Sequence, residues 1–211
     1  MARLDRTAPV RPRRTRLTAN DRRESILDAA AEVFAETGYR AGKVSDVAAR
    51  IGVTEPVIFQ NFGSKAALYA AVLERVAGQV GADLDKTLAE QHGSASDLLA
   101  HVLSPPQVED HRPGPGAHRG VLFADAASLA ADPAMAQPAR EVARTLAGHL
   151  ADLLRQGQAD GSIRADADPE AAAWLLLSVL TSRPFRAAAM PRREGSESNV
   201  AALALHALTP L

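Results

Sequence analysis

One short stretch of the chain carries side chains that can read the edges of DNA bases. Gln60 and Asn61 can pair with adenine, and Glu55 can accept a hydrogen bond from cytosine. Pro56 and Val57 can contact a thymine methyl group. Ordinary alternatives exist, because an acid at a helix start is favoured by the helix dipole and two amides can be plain polar surface. If the stretch is one helix, its exposed face is a candidate base-reading surface.

Lys65 suggests a second kind of chemistry, the binding of a phosphate. A cation in the first turn of a predicted helix opposes the helix dipole, whose N-terminal end is positive. A bound anion would use both the ammonium group and the free N–H groups of that turn. We therefore predict that Lys65 binds an anion such as a phosphate. Thr54 and Ser64 are predicted to be helix caps first and phosphate contacts second.

Positive charge is concentrated at the N-terminus. Residues 1–23 contain eight arginines and two acidic residues, a net charge of +6, whereas the rest of the chain carries −7. A basic arm on an acidic body suggests a polyanion bound at one end, with a merely solvated tail as the alternative. We predict that residues 1–17 form a disordered arm whose Arg13, Arg14 and Arg16 contact DNA.

Helices must position these side chains. Thr18 and Asp21 have the spacing of a capping box, and apolar residues then recur at helical spacing until Gly38. Two short helices are predicted over 44–51 and 55–61. The tight glycine turn between them makes a helix-turn-helix candidate.

The rest of the chain is also predicted to be helical. Asp132-Pro133 and Asp168-Pro169 each combine an N-cap residue with a proline at the first helical position, and residues 104–116 are predicted to be a long loop. Helices are predicted over 65–91, 97–103, 119–131, 132–158, 168–183 and 198–208. Pro138 is predicted to break or restart the helix over 132–158. The fold class is therefore all-α.

The helix-turn-helix region resembles a known family. Residues 23–73 are similar to the DNA-binding domain of tetracycline-repressor-type (TetR) regulators, and residues 153–180 resemble that family's last two long helices. The matching positions in the first stretch are Ile26, Ala30, Phe34, Gly38, Tyr39, Val44, Asp46, Ala48, Gly52, Val53, Phe62, Lys65 and Leu68.

The resemblance implies an organisation and a function. A three-helix DNA-binding domain (18–64) would precede a helical effector-binding and dimerisation domain (65–211). The protein would bind a near-palindromic operator in double-stranded DNA as a homodimer, most simply as a repressor released by a small-molecule effector. The resemblance also places Lys43, Ser45 and Phe59 at the DNA. It implies that a DNA phosphate is the anion at Lys65.

The sequence departs from the family pattern at two places. Phe59 stands where a tyrosine is usual, so a hydroxyl contact to phosphate is missing, and Gly42-Lys43 replaces the usual threonine before the second helix. Residues 24–75 carry five basic and seven acidic residues, a net charge of −2. We therefore expect the electrostatic part of DNA affinity to come largely from the arginine arm, along the backbone or in the minor groove.

The helix that follows Asp168 has almost no polar face. A helix that is apolar all round must be buried all round, which suggests a four-helix bundle with a second subunit; a central helix in a monomer is the alternative. The predicted interface residues are Leu150, Leu153, Leu154, Trp174, Leu176, Leu177 and Leu180.

An effector pocket is predicted among apolar residues of the C-terminal part. Its candidate walls are Val76, Val80, Leu99, Val102, Leu103, Leu122, Phe123 and Leu146. Aromatic residues are few, which favours an aliphatic or lipid-like ligand over a planar one. The histidines lack metal-ligand spacing, so no metal or other cofactor is predicted, and His149 with Asp152 is interpreted as an exposed polar pair.

Other functional classes find less support. The sequence has no phosphate-binding glycine loop, no carboxylate pair at helical metal spacing and no nucleophile motif, so an enzyme is not expected. A ligand-independent architectural DNA-binding protein is a further alternative, but it leaves more than a hundred residues of helical body without a role. No signal peptide or transmembrane segment is predicted, and a cytoplasmic location without membrane contact is expected.

Overall fold

The chain forms helices where its apolar residues recur at helical spacing. The structure, a computed structural model, describes residues 18–90, 93–104, 115–190 and 196–210, with the backbone alone described for 115–118. Within these ranges the helices are α1 (Ala19–Ala41), α2 (Val44–Ile51), α3 (Glu55–Phe62), α4 (Lys65–Glu90), α5 (Ala95–Leu103), α6 (Pro115–Ser128), α7 (Ala136–Asp160), α8 (Pro169–Thr181), α9 (Arg183–Ala189) and α10 (Ser196–His206). The predicted all-α class is confirmed. The predicted arm and most of the predicted 104–116 loop lie outside the described residues.

The start of α1 is fixed by the predicted capping box. The Asp21 N–H donates to the Thr18 hydroxyl at 3.1 Å, and the Thr18 N–H donates to the Asp21 carboxylate at 3.2 Å. Two free N–H groups at the helix start are thereby satisfied. The predicted stop at Gly38 is a bend, because Gly38 has a φ of +72° and the last turn continues to Ala41.

Helices α2 and α3 are joined by a tight turn at Gly52. This residue has a φ of +68°, in the left-handed region that favours glycine, and its N–H donates to the carbonyls at the end of α2. Val47 of α2, Ile58 of α3 and Phe34 of α1 are all buried and belong to one hydrophobic core. The shared core therefore sets the angle at which α3 leaves the turn.

Helices α4 to α10 form the helical body, which packs against the three N-terminal helices. Helix α7 packs against both α8 and α4, and α6 packs against α1, so the body contacts the N-terminal helices through α4 and α6. Asp168 starts α8 as predicted, because its carboxylate accepts from the N–H groups of Glu170 and Ala171.

The start of α7 differs from the prediction. Asp132 accepts the Ala134 N–H with its carboxylate and the Ala136 N–H with its carbonyl, which makes a turn, and regular helix begins at Ala136. Pro138 therefore lies in the first turn of α7, where its missing N–H costs nothing. Helix α6 begins at Pro115, four residues earlier than predicted, and ends three residues earlier, at Ser128.

In the part of the chain that the structure describes, no helix has the length and apolar character to cross a membrane.

Candidate nucleic-acid interface

Helix α3 is held along its inner side and at its C-terminal end, while one face stays open. Its inner side is anchored by Ile58, which is 1% exposed. At its C-terminal end, Arg23 donates from Nη1 to the carbonyl of Asn61 at 3.1 Å, and its guanidinium lies 4.2 Å from the centre of the Phe62 ring. Arg23 thus satisfies a free carbonyl of the helix end and adds a cation–π contact.

The open face of α3 carries most of the predicted base-reading side chains. Glu55, Pro56 and Gln60 are exposed, and Val57 is half-buried. Asn61 differs, because its Nδ2 donates to the Val57 carbonyl at 2.7 Å, so in this state its amide is engaged with its own helix. Of the two amides, Gln60 is therefore the one that α3 leaves exposed.

Phe59 is also on this face, with 41% of its surface exposed. An exposed aromatic ring without a hydroxyl can contact the sugar–phosphate backbone or a thymine methyl group through apolar surface alone. The predicted lack of a hydroxyl contact at this position follows directly from the residue type.

The two predicted caps behave differently. The Ser64 hydroxyl accepts the Ala67 N–H at 3.1 Å, as a cap does. Thr54 occupies the N-cap position of α3 but its side chain makes no capping bond. The prediction that Thr54 is mainly a cap is therefore wrong, and its exposed hydroxyl is available to a phosphate. Lys43 takes the N-cap position of α2, and its side chain makes no capping bond.

Lys65 lies next to the end of α1. Its ammonium donates to the Arg40 carbonyl at 3.2 Å and lies 4.8 Å from the centre of the Tyr39 ring. Burial lowers the pKa of Lys65, and the nearby charge of Asp125 opposes this effect. The ammonium is thus held at the junction of α1 and α4, on the carbonyl end of one helix and the N-terminal turn of the other.

Carboxylates already pair with two of the basic residues of these helices. Arg50 lies within salt-bridge distance of Glu32 and Glu36. Arg75 is paired likewise, with Glu24 and Asp28. Of the exposed cations in residues 18–75, Arg40 and Lys43 have no such carboxylate.

A three-way junction connects these helices to the body. The Asp125 Oδ2 of α6 accepts the Tyr39 N–H at 2.8 Å and the Tyr69 hydroxyl at 2.7 Å. A Cβ at Gly38 would lie 3.2 Å from Asp125 Oδ1, so the glycine also allows the close approach. Burial, then the hydrogen bond to Asp125, raises the pKa of Tyr69 well above its usual value. Asp125 thus links α1, α4 and α6.

Sequence reasoning missed Arg23 and Asp125 as functional positions. Arg23 was counted only as part of the N-terminal charge, and Asp125 was not singled out. Their partners lie 38 and 86 residues away along the chain, and no local pattern marks such pairs.

The predicted pocket residues lie in the body but line neither of two cavities found there. Leu99, Leu103 and Leu122 are fully buried in the core, whereas Val80, Val102 and Phe123 are partly buried against it. Val76 and Leu146 are buried as well. One cavity of about 60 Å³ lies between α4 and α7, and one of about 230 Å³ lies between α7 and α8.

Most of the predicted interface residues are core residues of a single chain. Buried residues in this set are Leu150, Leu153, Leu154, Leu176 and Leu177. A side chain buried within one chain cannot offer its surface to a second, so the structure revises this part of the prediction. Leu180 is half-buried, and Trp174, with Leu175 beside it, is 47% exposed. The exposed apolar face of α8 is therefore narrower than the sequence suggested.

His149 is also placed differently from its prediction. It was interpreted as part of an exposed polar pair, but its Nε2 is buried and, within the described residues, has no hydrogen-bond partner. Among the described residues, no group of three or more His, Cys, Asp and Glu could hold a metal ion.

The geometry agrees with a known regulatory domain. Residues 26–72 match the family described as "Bacterial regulatory proteins, tetR family". The match begins inside α1 and ends inside α4, so it contains the whole α2–turn–α3 unit.

Two curated relatives carry related sequences. The HTH-type transcriptional activator FasR of Mycolicibacterium smegmatis is 48% identical over 63 residues, which is 30% of this chain and 29% of that protein. The HTH-type transcriptional repressor Rv3405c of Mycobacterium tuberculosis is 32% identical over 106 residues, 46% of this chain and 55% of that protein. The alignments therefore span about a third to a half of these relatives.

Solved structures extend the likeness to the whole fold. A TetR-family transcriptional regulator from Cytophaga hutchinsonii is matched with a TM-score of 0.72 over 93% of this chain and 100% of that one, at 19% identity. FadR from Bacillus subtilis in complex with stearoyl-CoA is matched with a TM-score of 0.55 over 87% of this chain and 95% of that one, at 20% identity. Residues 26–72 therefore match the tetR family of bacterial regulatory proteins, and most of the chain shares the fold of these solved regulators.

Proposed function

We propose that the protein is a ligand-responsive transcriptional regulator, most simply a repressor, that binds a near-palindromic DNA operator as a homodimer. Residues 18–64 would be the DNA-binding domain and residues 65–211 the effector-binding and dimerisation domain. The observation that carries the proposal is the open face of α3, where Glu55, Pro56 and Gln60 are exposed on a helix anchored by Ile58 and Arg23. In a helix-turn-helix the second helix of the motif enters the major groove.

The cations around α3 suit the DNA backbone. Lys43 is exposed at the start of α2, and Arg40 is exposed at the end of α1 beside Lys65. A phosphate at the first turn of α4 would meet the Lys65 ammonium and the N–H groups of that helix end. Contacts of this kind fix the position of the protein on DNA without reading its sequence. Gln60 and Glu55 would supply the sequence preference.

The homodimer is supported by the exposed face of α7 and α8. The cavity of about 230 Å³ is floored by Ala147, Gly148 and Ala151 of α7 and bordered by Trp174 of α8. Its rim carries both signs of charge, from Arg144 and Arg155 and from Asp152 and Glu170. A groove floored by small residues beside an exposed tryptophan suits a two-fold contact in which each tryptophan enters the partner's groove.

A response to ligand is supported by contacts that connect the helical body to the DNA-binding helices. Helix α6 holds the end of α1 through Asp125, and Lys65 lies on the same end of α1. A ligand that shifts α6 relative to α4 would act on both contacts at once. The stearoyl-CoA complex of the structural neighbour FadR supports a small-molecule ligand in this fold.

The test is selection of DNA from a random pool by the purified full-length protein, followed by sequencing. We expect enrichment of an inverted repeat whose half-sites lie about one helical turn apart, because a two-fold dimer presents its reading helices roughly 34 Å apart. Recovery of unrelated sequences, with affinity set by length and salt alone, would instead identify an architectural DNA-binding protein.

A further inference from the structure

A small polar cavity lies between α4 and α7, away from the DNA-binding face. Its volume is about 60 Å³, and its walls include Gly81, Asp85, His149, Asp152 and Gln156. One water needs about 10–15 Å³ of such space, so the cavity can hold a polar head group several atoms in size. Nearby leucines of both helices supply apolar wall.

The imidazole of His149 makes this cavity unusual. Its Nε2 is buried and has no hydrogen-bond partner among the residues that the structure describes. A buried polar atom is costly to leave unpaired, and such atoms in native structures are normally paired with a protein group, a water or a ligand. Because His149 lines the cavity, a molecule bound there is a candidate partner for Nε2.

Gly81 brings the two helices close enough to bury the imidazole. A Cβ at this position would lie 2.3 Å from His149 Cε1 and 2.6 Å from its Nε2. Any larger residue would displace the ring, so the cavity and its histidine depend on this glycine.

The charges at the cavity select one kind of partner. Asp85 and Asp152 line it, and no arginine or lysine is among the lining residues that the structure describes. One oxygen of Asp152 accepts from Arg155 at 2.6 Å, whereas Asp85 has no salt-bridge partner in the described part of the chain. An anionic ligand would face two carboxylates, and a cationic one would be attracted by them.

We propose that this cavity binds the ammonium head of a small primary amine. Such a head has three N–H donors, which match the Nε2 of His149 and the carboxylates of Asp85 and Asp152. The alkyl carbons next to the nitrogen would contact the leucine walls. The inference rests on the proposed ligand response and deepens it, because it names the chemistry of the ligand; the aliphatic preference expected from the sequence remains compatible with it.

The test uses the full-length protein without DNA and three probes of similar shape: n-butylammonium, n-butanol and butyrate. The side-chain nitrogen resonances of His149, assigned with the His149→Gln variant, report binding. We expect saturable shifts with n-butylammonium and about tenfold weaker binding of n-butanol, because the charge-assisted hydrogen bonds are lost. Butyrate should leave the His149 resonances unchanged.

Two glycine variants of α4 provide a matched pair. Gly81→Ala should abolish the response because its methyl group displaces the imidazole, whereas Gly78→Ala should retain it, because a Cβ at Gly78 meets no atom within 4 Å. Butyrate binding as tightly as n-butylammonium would overturn the proposal, as would equal loss in both variants. Absence of any probe response would show that Nε2 is paired with an ordered water only.

The same samples separate this inference from the proposed function. Operator binding by the wild-type protein is measured in parallel by titration with DNA. If the protein binds DNA but no probe, the amine-site proposal is wrong and the proposed function stands. If it binds the probe but no DNA, the proposed function as a transcriptional regulator is wrong.

Discussion

The hydroxyl of Tyr69 donates a 2.7 Å hydrogen bond to Asp125 Oδ2, which joins α4 to α6. The same hydroxyl lies 3.3 Å from the Leu122 carbonyl, and the same carboxylate oxygen accepts the Tyr39 N–H. Tyr69 is 0% exposed, and its ring packs edge-on against Phe34 at 5.0 Å between centroids. Because the partners lie on different helices, this contact contributes to the stability of the unit formed by α1, α4 and α6.

Replacement of Tyr69 by phenylalanine should lower the free energy of unfolding by about 1–3 kcal/mol, the usual cost of removing a buried hydrogen bond to a charged group. The ring packing remains, so the variant should stay folded. Denaturant titration followed by circular dichroism measures the change. A control variant, Ser128→Ala, removes only a hydroxyl that bonds within α6 and should change stability by less than about 0.5 kcal/mol. Equal stability of wild-type protein and Tyr69→Phe would contradict the role assigned to this contact.

The raised pKa of Tyr69 also predicts a pH dependence. In the unfolded chain the phenol loses its proton near pH 10, whereas the folded state keeps it. Stability from this group is therefore fully present below pH 10 and falls by about 1.4 kcal/mol per pH unit above it, until the folded pKa is reached. The Tyr69→Phe variant lacks this loss, so the stability difference between the two proteins should shrink between pH 10 and 11. A constant difference over that range would argue against the raised pKa.

Loss of a phosphate contact and loss of a base contact should change DNA binding in different ways. Lys65→Ala should weaken binding to operator and to scrambled DNA about equally, and should reduce the slope of log K against log salt by about one unit. Gln60→Ala should cost about 1–3 kcal/mol on the operator, relax the preference at one symmetric pair of positions and spare scrambled DNA.

The measurement is binding of both variants to both DNAs over a range of salt. Arg50→Gln serves as a control for lost positive charge, because Arg50 already pairs with Glu32 and Glu36. If Gln60→Ala lowered the affinity for both DNAs to the same extent, Gln60 would be a backbone contact and the reading face of α3 would be misplaced.

The proposed dimer predicts a position-specific effect of charge. Trp174→Glu should produce monomers at micromolar concentration because it places a charge on the exposed face of α8. Phe185→Glu is the matched control, since Phe185 is 73% exposed on α9, outside the groove. Leu176 is unsuitable for this test because it is 0% exposed, and a buried charge there would unfold the chain.

Light scattering and analytical ultracentrifugation give the oligomeric state. Dimers of both wild type and Phe185→Glu with monomers of Trp174→Glu are the expected result. A monomeric wild-type protein would contradict the dimer proposal. A dimeric Trp174→Glu variant would show that the dimer interface lies on another surface.

Removal of residues 1–17 should weaken binding to all DNAs and flatten its salt dependence. The segment contains six arginines and one acidic residue, and each lost phosphate contact should reduce the salt slope by about 0.9. A variant with Arg13, Arg14 and Arg16 changed to glutamine should reproduce most of the effect if these three arginines make the phosphate contacts. Equal salt slopes of full-length and shortened protein would show that the arm does not bind DNA.

Short-range patterns were sufficient to predict the elements of the DNA-binding region. The capping box of Thr18 and Asp21, the left-handed Gly52 and the inward-facing Ile58 each act within a few residues of the chain, so the sequence reveals them directly. The fold class and the α2–turn–α3 unit followed from these signals. The start of α7 did not, because Asp132-Pro133 fits a tight turn as well as it fits a helix start.

The contacts that join the elements were decided only by the tertiary structure. Tyr39 and Asp125 are 86 residues apart in the chain, and nothing local in either position indicates the other. Which face of α8 is buried also depends on α7, whose packing covers Leu176 and Leu177 but leaves Trp174 exposed. The burial of His149 required Gly81 on another helix. Periodicity in a sequence shows that a helix has apolar sides, but only packing between helices determines which neighbour each side meets.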